Sequence, residues 1–275
     1  MSTWRLGWVL AFTMALLLIP AVGGAEEWKL VWSDEFDYQG LPDPNKWGYE
    51  EGFVRNNEAQ YYTKARKENA RVEDGMLIIE GRKEQFANAR YNPSAKRGPT
   101  SRPAAEYTAA SLITRNKADW TYGRVEVRAK LPQGKGVWPA IWMLGTKGGW
   151  PAGGEIDIME FVGHMPDYVH ATVHYQKEGK HRSSGSKLKV ERPFDDFHVY
   201  AVEWFPDHMD FYFDQTKYHT FPLEQADNGK ENPFRKPQYL LINLAIGGSW
   251  GGAIDPSIFP QKYLVDYVRV YQKGK

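Results

Sequence analysis

Gly154-Glu155-Ile156-Asp157-Ile158-Met159-Glu160-Phe161 alternates acids with isoleucines, the period of a β-strand that buries one face and presents the other. Glu155 and Asp157 share the presented face, and Ile156 and Ile158 enter the core. Continued without interruption, the same count turns Glu160 inward among apolar side chains, where a lone carboxylate is expensive. One extra residue at Ile158-Met159 returns Glu160 to the face of the other two acids. The stretch therefore predicts a β-bulge, a device that re-aims side chains beside active sites.

Three carboxylates on one face repel each other, which a merely stable sheet has no reason to keep. An exposed face pairing its acids with Lys or Arg is the bland explanation. The flanks, Trp138-Pro139-Ala140-Ile141-Trp142 and Trp150-Pro151, are aromatic rather than basic and argue against it. Trp138 and Trp142 stand four apart, so in a regular strand they share a face with Ala140 between them. Trp138 reads as a stacking platform for a sugar ring, with Ile141 and Met143 directed to the core. Trp142 fits either a platform or the core.

Similar short alternating segments run through the chain: Met76–Glu80, Ser111–Thr114, Tyr122–Ala129, Val169–His174, Val199–Trp204, Met209–Phe213, Tyr239–Ala245 and Val265–Tyr271. Turn-forming Gly, Pro, Asn or Asp bound most of them, and no useful helical period intervenes. The pattern predicts an all-β sandwich of antiparallel sheets in one domain spanning 26–275. Residues 82–106, rich in Arg, Lys, Asn, Pro and Ser, read as a long loop between strands.

Residues 1–25 stand apart. Arg5 precedes an apolar run from Val9 to Ile19, Pro20 ends it, and Gly23 and Ala25 suit a cleavage site, so a signal peptide is expected. The run is short for a membrane span of roughly 20 residues, and no stable membrane anchor is expected. Export would leave a secreted protein, extracellular or periplasmic. Without residues 1–25, which hold one Arg and no acid, Lys+Arg falls from 35 to 34 against 34 Asp+Glu. A neutral surface has no field to gather nucleic acid. With no cysteine, stability rests on the core alone. The 11 Trp and 16 Tyr exceed what one core readily accommodates and suit the C–H faces of sugars. A monomer acting on a neutral polysaccharide is expected.

Paired carboxylates fit glycoside hydrolysis. Retaining enzymes need an ionised carboxylate to attack the anomeric carbon and a protonated one to donate to the leaving oxygen, about 5–5.5 Å apart. Asp157 between the glutamates can hydrogen-bond the nucleophile and share in a coupled titration. At Glu155-x-Asp157-x-x-Glu160, with Trp138-Pro139-Ala140-x-Trp142-Met143-Leu144 before it, the chain resembles glycoside hydrolase family 16, in its branch of laminarinases and related endo-β-1,3-glucanases. Trp32-Ser33-Asp34-Glu35-Phe36, Asn57-Glu58-x-Gln60-x-Tyr62, Gly247-Gly248-Ser249-Trp250 and Val265-Asp266-Tyr267-Val268-Arg269 extend the resemblance along the chain.

The resemblance implies a jelly-roll of two curved antiparallel sheets with a substrate cleft on the concave face. It casts Glu155 as nucleophile, Glu160 as acid/base and Asp157 as their helper. It also puts His174 and Trp250 in the cleft and Asn57, Glu58 and Gln60 at its edge. Asp266 and Glu35 are implied as ligands of a structural calcium, with no cofactor for catalysis. Two alternatives stay open: the same fold acting on mixed-linkage glucan or an algal galactan, and a lectin-like sandwich that binds sugar without cutting it. The second would not need both glutamates.

Overall fold

The computed structural model describes residues 27–274, so the expected signal segment lies outside the described residues. Two sheets face each other. The seven-stranded sheet runs Lys180–Lys189, Tyr168–Lys177, Glu155–Glu160, Val137–Gly145, Gln238–Ile246, Ser111–Ile113, Gly48–Tyr49. The ten-stranded sheet has Gly123–Lys130 and Gln261–Lys273 at its centre and extends through Met76–Ala87 and Ala104–Ala109 to Gln60–Tyr62. Every pairing is antiparallel except that of Gln60–Tyr62 with Ala104–Ala109, which is parallel. No helix of the described residues is long and apolar enough to cross a membrane.

Alternation decides what each sheet contributes. Leu240, Ile242, Leu244 and Ile246 join Val125, Val127, Val268 and Val270 in one core cluster, as do Ile141, Met143, Ile156, Val169, Ala171 and Val173. The intervening residues of the same strands emerge on the other face of the seven-stranded sheet, where Ala140, Trp142, Tyr239 and Leu241 form a second cluster. This explains why Gln238–Ile246 is buried along its whole length: one face meets the core, the other the floor of a groove.

One expectation needs correction, and one strand carries no signal in the sequence. Residues 82–106 are not all loop: the preceding strand continues to Ala87 and the next begins at Ala104, leaving a connection over 88–103. Lys83 pairs with Tyr107 and Ala87 with Ala104, so polar composition concealed a ladder with one exposed face. Lys180–Lys189 has no apolar alternation that would mark it as a strand. It is an edge strand of lysine, serine and glycine with little apolar content. Lysines on such an edge discourage pairing with other chains, so its identity is set by the neighbour it pairs with rather than by burial.

Candidate active site

The predicted bulge is present. Against Val137–Gly145 the register runs Asp157↔Trp142 and then Met159↔Ile141, so Ile158 is the extra residue. Against Tyr168–Lys177 it passes from Asp157↔Thr172 to Glu160↔His170. Ile156, Ile158 and Met159 all enter the core cluster. Glu155, Asp157 and Glu160 instead line a groove of about 630 Å³, together with Trp138, Trp142, His174 and Trp250.

The three acids have different surroundings. Burial raises the Glu155 carboxyl above its ordinary value, opposed by hydrogen bonds to Asp157 and Trp150 and by the Arg55 charge. Asp157, only 2% exposed, is driven well above its usual range by burial and then by the two flanking carboxylates. Burial pushes Glu160 up to about 7, against a hydrogen bond from Trp138. A protonated Asp157 that donates to Glu155 lets Glu155 hold the negative charge while Glu160 keeps its proton. Environment thus raises all three acids, but to different extents and against different opposing contacts.

The expected aromatic residues come together around these acids. Trp138 Nε1 donates to Glu160 Oε1 at 3.0 Å, and its ring meets Trp250 edge-on at 5.6 Å between centroids. Trp250 lies in a short helical turn, Gly248–Gly251, whose Ser249 N–H is held by the Asn56 carbonyl. Trp142 also faces the groove, which resolves its open placement. Its Nε1 donates to Asn243 Oδ1 at 2.7 Å, fixing the ring. His174 Nε2 lies 3.3 Å from Asp157 Oδ2, and burial, with neighbouring His181, lowers its pKa to about 4. It is therefore a neutral imidazole at ordinary pH. His170 packs edge-on to Trp250 at 4.9 Å and is likewise held neutral by burial.

Asn57 does not line the groove. It is exposed with φ 53°, and its neighbours Asn56 and Glu58 line the wall instead. The turn rotates one residue of the pair outward, which spacing alone cannot reveal. Gln60 sits behind that wall, donating to Glu58 Oε2 and accepting from the Ile246 N–H.

The Glu35 and Asp266 side chains are each engaged by an arginine. Arg269 grips Glu35 at 2.8 Å, and Arg128 meets Asp266 at 2.6 Å. A guanidinium against each carboxylate neutralises the charge a cation would need, so these side chains do not fit the calcium role implied for them. The described cluster whose acid and imidazole atoms do converge is Glu155, Asp157 and His174, within 4.8 Å of one another.

Among the groove residues that the sequence does not mark, Arg55, Asn243 and Trp150 matter most to its shape. Arg55 places its guanidinium 4.8 Å from the Trp142 ring centroid and pairs with Glu50. Asn243 anchors Trp142 and donates to the Tyr62 hydroxyl. Trp150 is 59% exposed at the groove's end. Only Trp150 carried a local signal, a large ring between glycines and a proline. The other two act on Trp142, which is remote in sequence from both.

Comparison with known proteins agrees with this geometry. Residues 57–269 match the glycosyl hydrolases family 16. A beta-glucanase of Rhodothermus marinus is 48% identical, covering 95% of this chain and 93% of the relative. The structure of the laminarinase from Rhodothermus marinus superposes with a TM-score of 0.78 at 47% identity, over 91% of this chain and 99% of that one. A structure described with the endo-acting O-glycanases that members of the human gut microbiota use to initiate mucin breakdown has a TM-score of 0.85 at 40% identity, over 90% and 91%. The match runs from the residues before Glu58 to the strand carrying Asp266 and encloses every acid of the groove: this chain belongs to glycosyl hydrolase family 16.

Proposed function

We propose that this protein cleaves β-glucan internally, at β-1,3 linkages, by a retaining double displacement. The observation that carries the reading is three acids on one face of a bulged strand in unequal surroundings: burial raises Glu155 but Asp157, Trp150 and Arg55 oppose the rise, whereas Glu160 is pushed up to about 7. In the first step Glu155 attacks the anomeric carbon while Glu160 gives its proton to the departing glycosidic oxygen. The bond from that carbon to oxygen breaks as the bond to Glu155 forms. In the second step Glu160, now ionised, takes a proton from water as the water oxygen displaces Glu155. Each residue ends in its starting state.

Asp157 supports the anion, and Trp138 holds the carboxyl that must act first as acid and then as base. The rings of Trp138, Trp142 and Trp250 supply apolar faces for sugars. The beta-glucanase and laminarinase likenesses support neutral β-glucan as substrate. A sulfated galactan is less well supported. Arg102, a basic residue of the 88–103 connection that touches the groove wall, stacks 3.8 Å from the Phe53 ring centroid and donates to the Glu58 carbonyl. Export through residues 1–25 without a lipid anchor completes the proposal, supported by the apolar run after Arg5 and the absence of cysteine.

The test is hydrolysis of laminarin, lichenan, agarose and carrageenan with product sizing. Laminarin should yield mixed oligosaccharides early; glucose alone would exclude internal cleavage. Glu155→Gln should fold and lose hydrolysis, and azide should restore turnover to Glu155→Ala by replacing the missing nucleophile. Undiminished activity of Glu155→Gln would refute the assignment.

A further inference from the structure

His181 has no place in the chemistry above, yet its ring reaches the acids through one intermediary. It begins with the turn at Glu178-Gly179, where φ is 53° and 73°, the left-handed pair of a type I′ hairpin. That turn pairs Lys177 with Lys180 and so sets the register of the edge strand: His181 faces Gln176, and Ser183 faces His174. His174 and His181 are then diagonal neighbours on one sheet face, within reach of each other's side chains. Their ring nitrogens, His174 Nδ1 and His181 Nε2, lie 2.9 Å apart. The Trp150 ring packs against His181 at 4.8 Å between centroids.

Two arrangements of protons satisfy this chain of contacts, and they are mutually exclusive. In one, His181 Nε2–H donates to His174 Nδ1. His174 must then carry its own proton on Nε2, which lies 3.3 Å from Asp157 Oδ2, a buried oxygen with no hydrogen-bond partner of its own. With an N–H rather than a lone pair beside that oxygen, the Asp157 proton belongs on the other oxygen, where it is donated to Glu155. In the reverse arrangement His174 Nδ1–H donates to His181 and its bare Nε2 takes the Asp157 proton. Asp157 would then face Glu155 with an unprotonated oxygen against a carboxylate, which is repulsive. Only the first arrangement lets Glu155 remain an anion beside Asp157.

We infer that His181 is a positioning residue: by donating to His174 Nδ1 it fixes the His174 tautomer that directs the Asp157 proton toward Glu155. Both the neutral Nε2–H form and the imidazolium of His181 donate from this atom, so the device does not depend on its charge. The catalytic part of the inference rests on the hydrolytic reading above. The tautomer part does not.

His181 is exposed, so its variants should fold. His181→Phe keeps a ring against Trp150 and removes the donor, whereas His181→Gln replaces ring and donor by an amide N–H. In unliganded wild type, nitrogen NMR should find His174 protonated at Nε2 and bare at Nδ1. His181→Phe should lose that fixed tautomer and reduce kcat on laminarin on the order of tenfold with KM within about twofold, the loss expected for one hydrogen bond. His181→Gln should retain the tautomer and most of kcat. A wild-type His174 protonated at Nδ1, or a His181→Phe protein with unchanged tautomer and kcat, overturns the inference. Failure of the hydrolytic reading would appear differently, as no turnover by the wild type.

Discussion

Trp138 and Glu160 are joined across adjacent strands, the indole Nε1 donating to the carboxyl Oε1 at 3.0 Å. The contact exists because the bulge sets Glu160 opposite Ala140, two residues from Trp138 on the same face. It holds one oxygen of the carboxyl and leaves the other to exchange its proton with substrate.

Trp138→Phe keeps a ring and removes this donor. A hydrogen bond to the ionised form favours ionisation, so its loss should raise the Glu160 pKa above about 7. The alkaline limb of kcat/KM should move to higher pH, with kcat falling on the order of tenfold. A pH–rate profile superimposable on wild type would contradict this role.

Arg55→Ala should act on the other end of the site. Its charge favours the Glu155 anion, so removal should raise the Glu155 pKa and move the acid limb of kcat/KM to higher pH. Arg55→Lys should shift it less, because a cation remains while the planar contact with Trp142 is lost. Profiles of both variants on laminarin provide the check.

The bulge makes a prediction about spacing. Deleting Met159 yields Glu-x-Asp-x-Glu, which an unbulged strand keeps on one face, so the variant should fold and retain measurable hydrolysis despite losing a buried side chain. Inserting a residue after Met159 should turn Glu160 into the core and either unfold the strand or silence the acid. Melting curves and laminarin assays decide; an inactive deletion beside an active insertion would contradict the face assignment.

Stability should depend on pH through Glu160. Its folded pKa, about 7, lies above the ordinary glutamate value of 4.5. The folded state therefore binds the proton more tightly than the unfolded chain does. The stabilisation is complete below the unfolded value and is lost as pH rises through about 7. Denaturant unfolding at pH 5 and pH 8 should differ by a few kcal/mol at most from this group. Glu160→Gln, which cannot ionise, should flatten that part of the curve; an unchanged slope would remove Glu160 as its source.

The sequence by itself determined the strand of the acids, its bulge and the shared face of Glu155, Asp157 and Glu160, because side-chain alternation and the cost of a buried carboxylate are local rules. The same alternation sent Ile141 and Met143 inward and Trp138 outward. It left Trp142 undecided, since a large ring on a lined groove is as buried as one in a core. Only the tertiary structure decided that Arg55 covers Trp142, that Asn56 rather than Asn57 faces the groove, and that Arg269 and Arg128 hold Glu35 and Asp266. Those contacts join residues far apart in sequence or depend on one rotated turn. Their energies come from charge, hydrogen-bond geometry and desolvation across strands, none of which has a period that a sequence can carry.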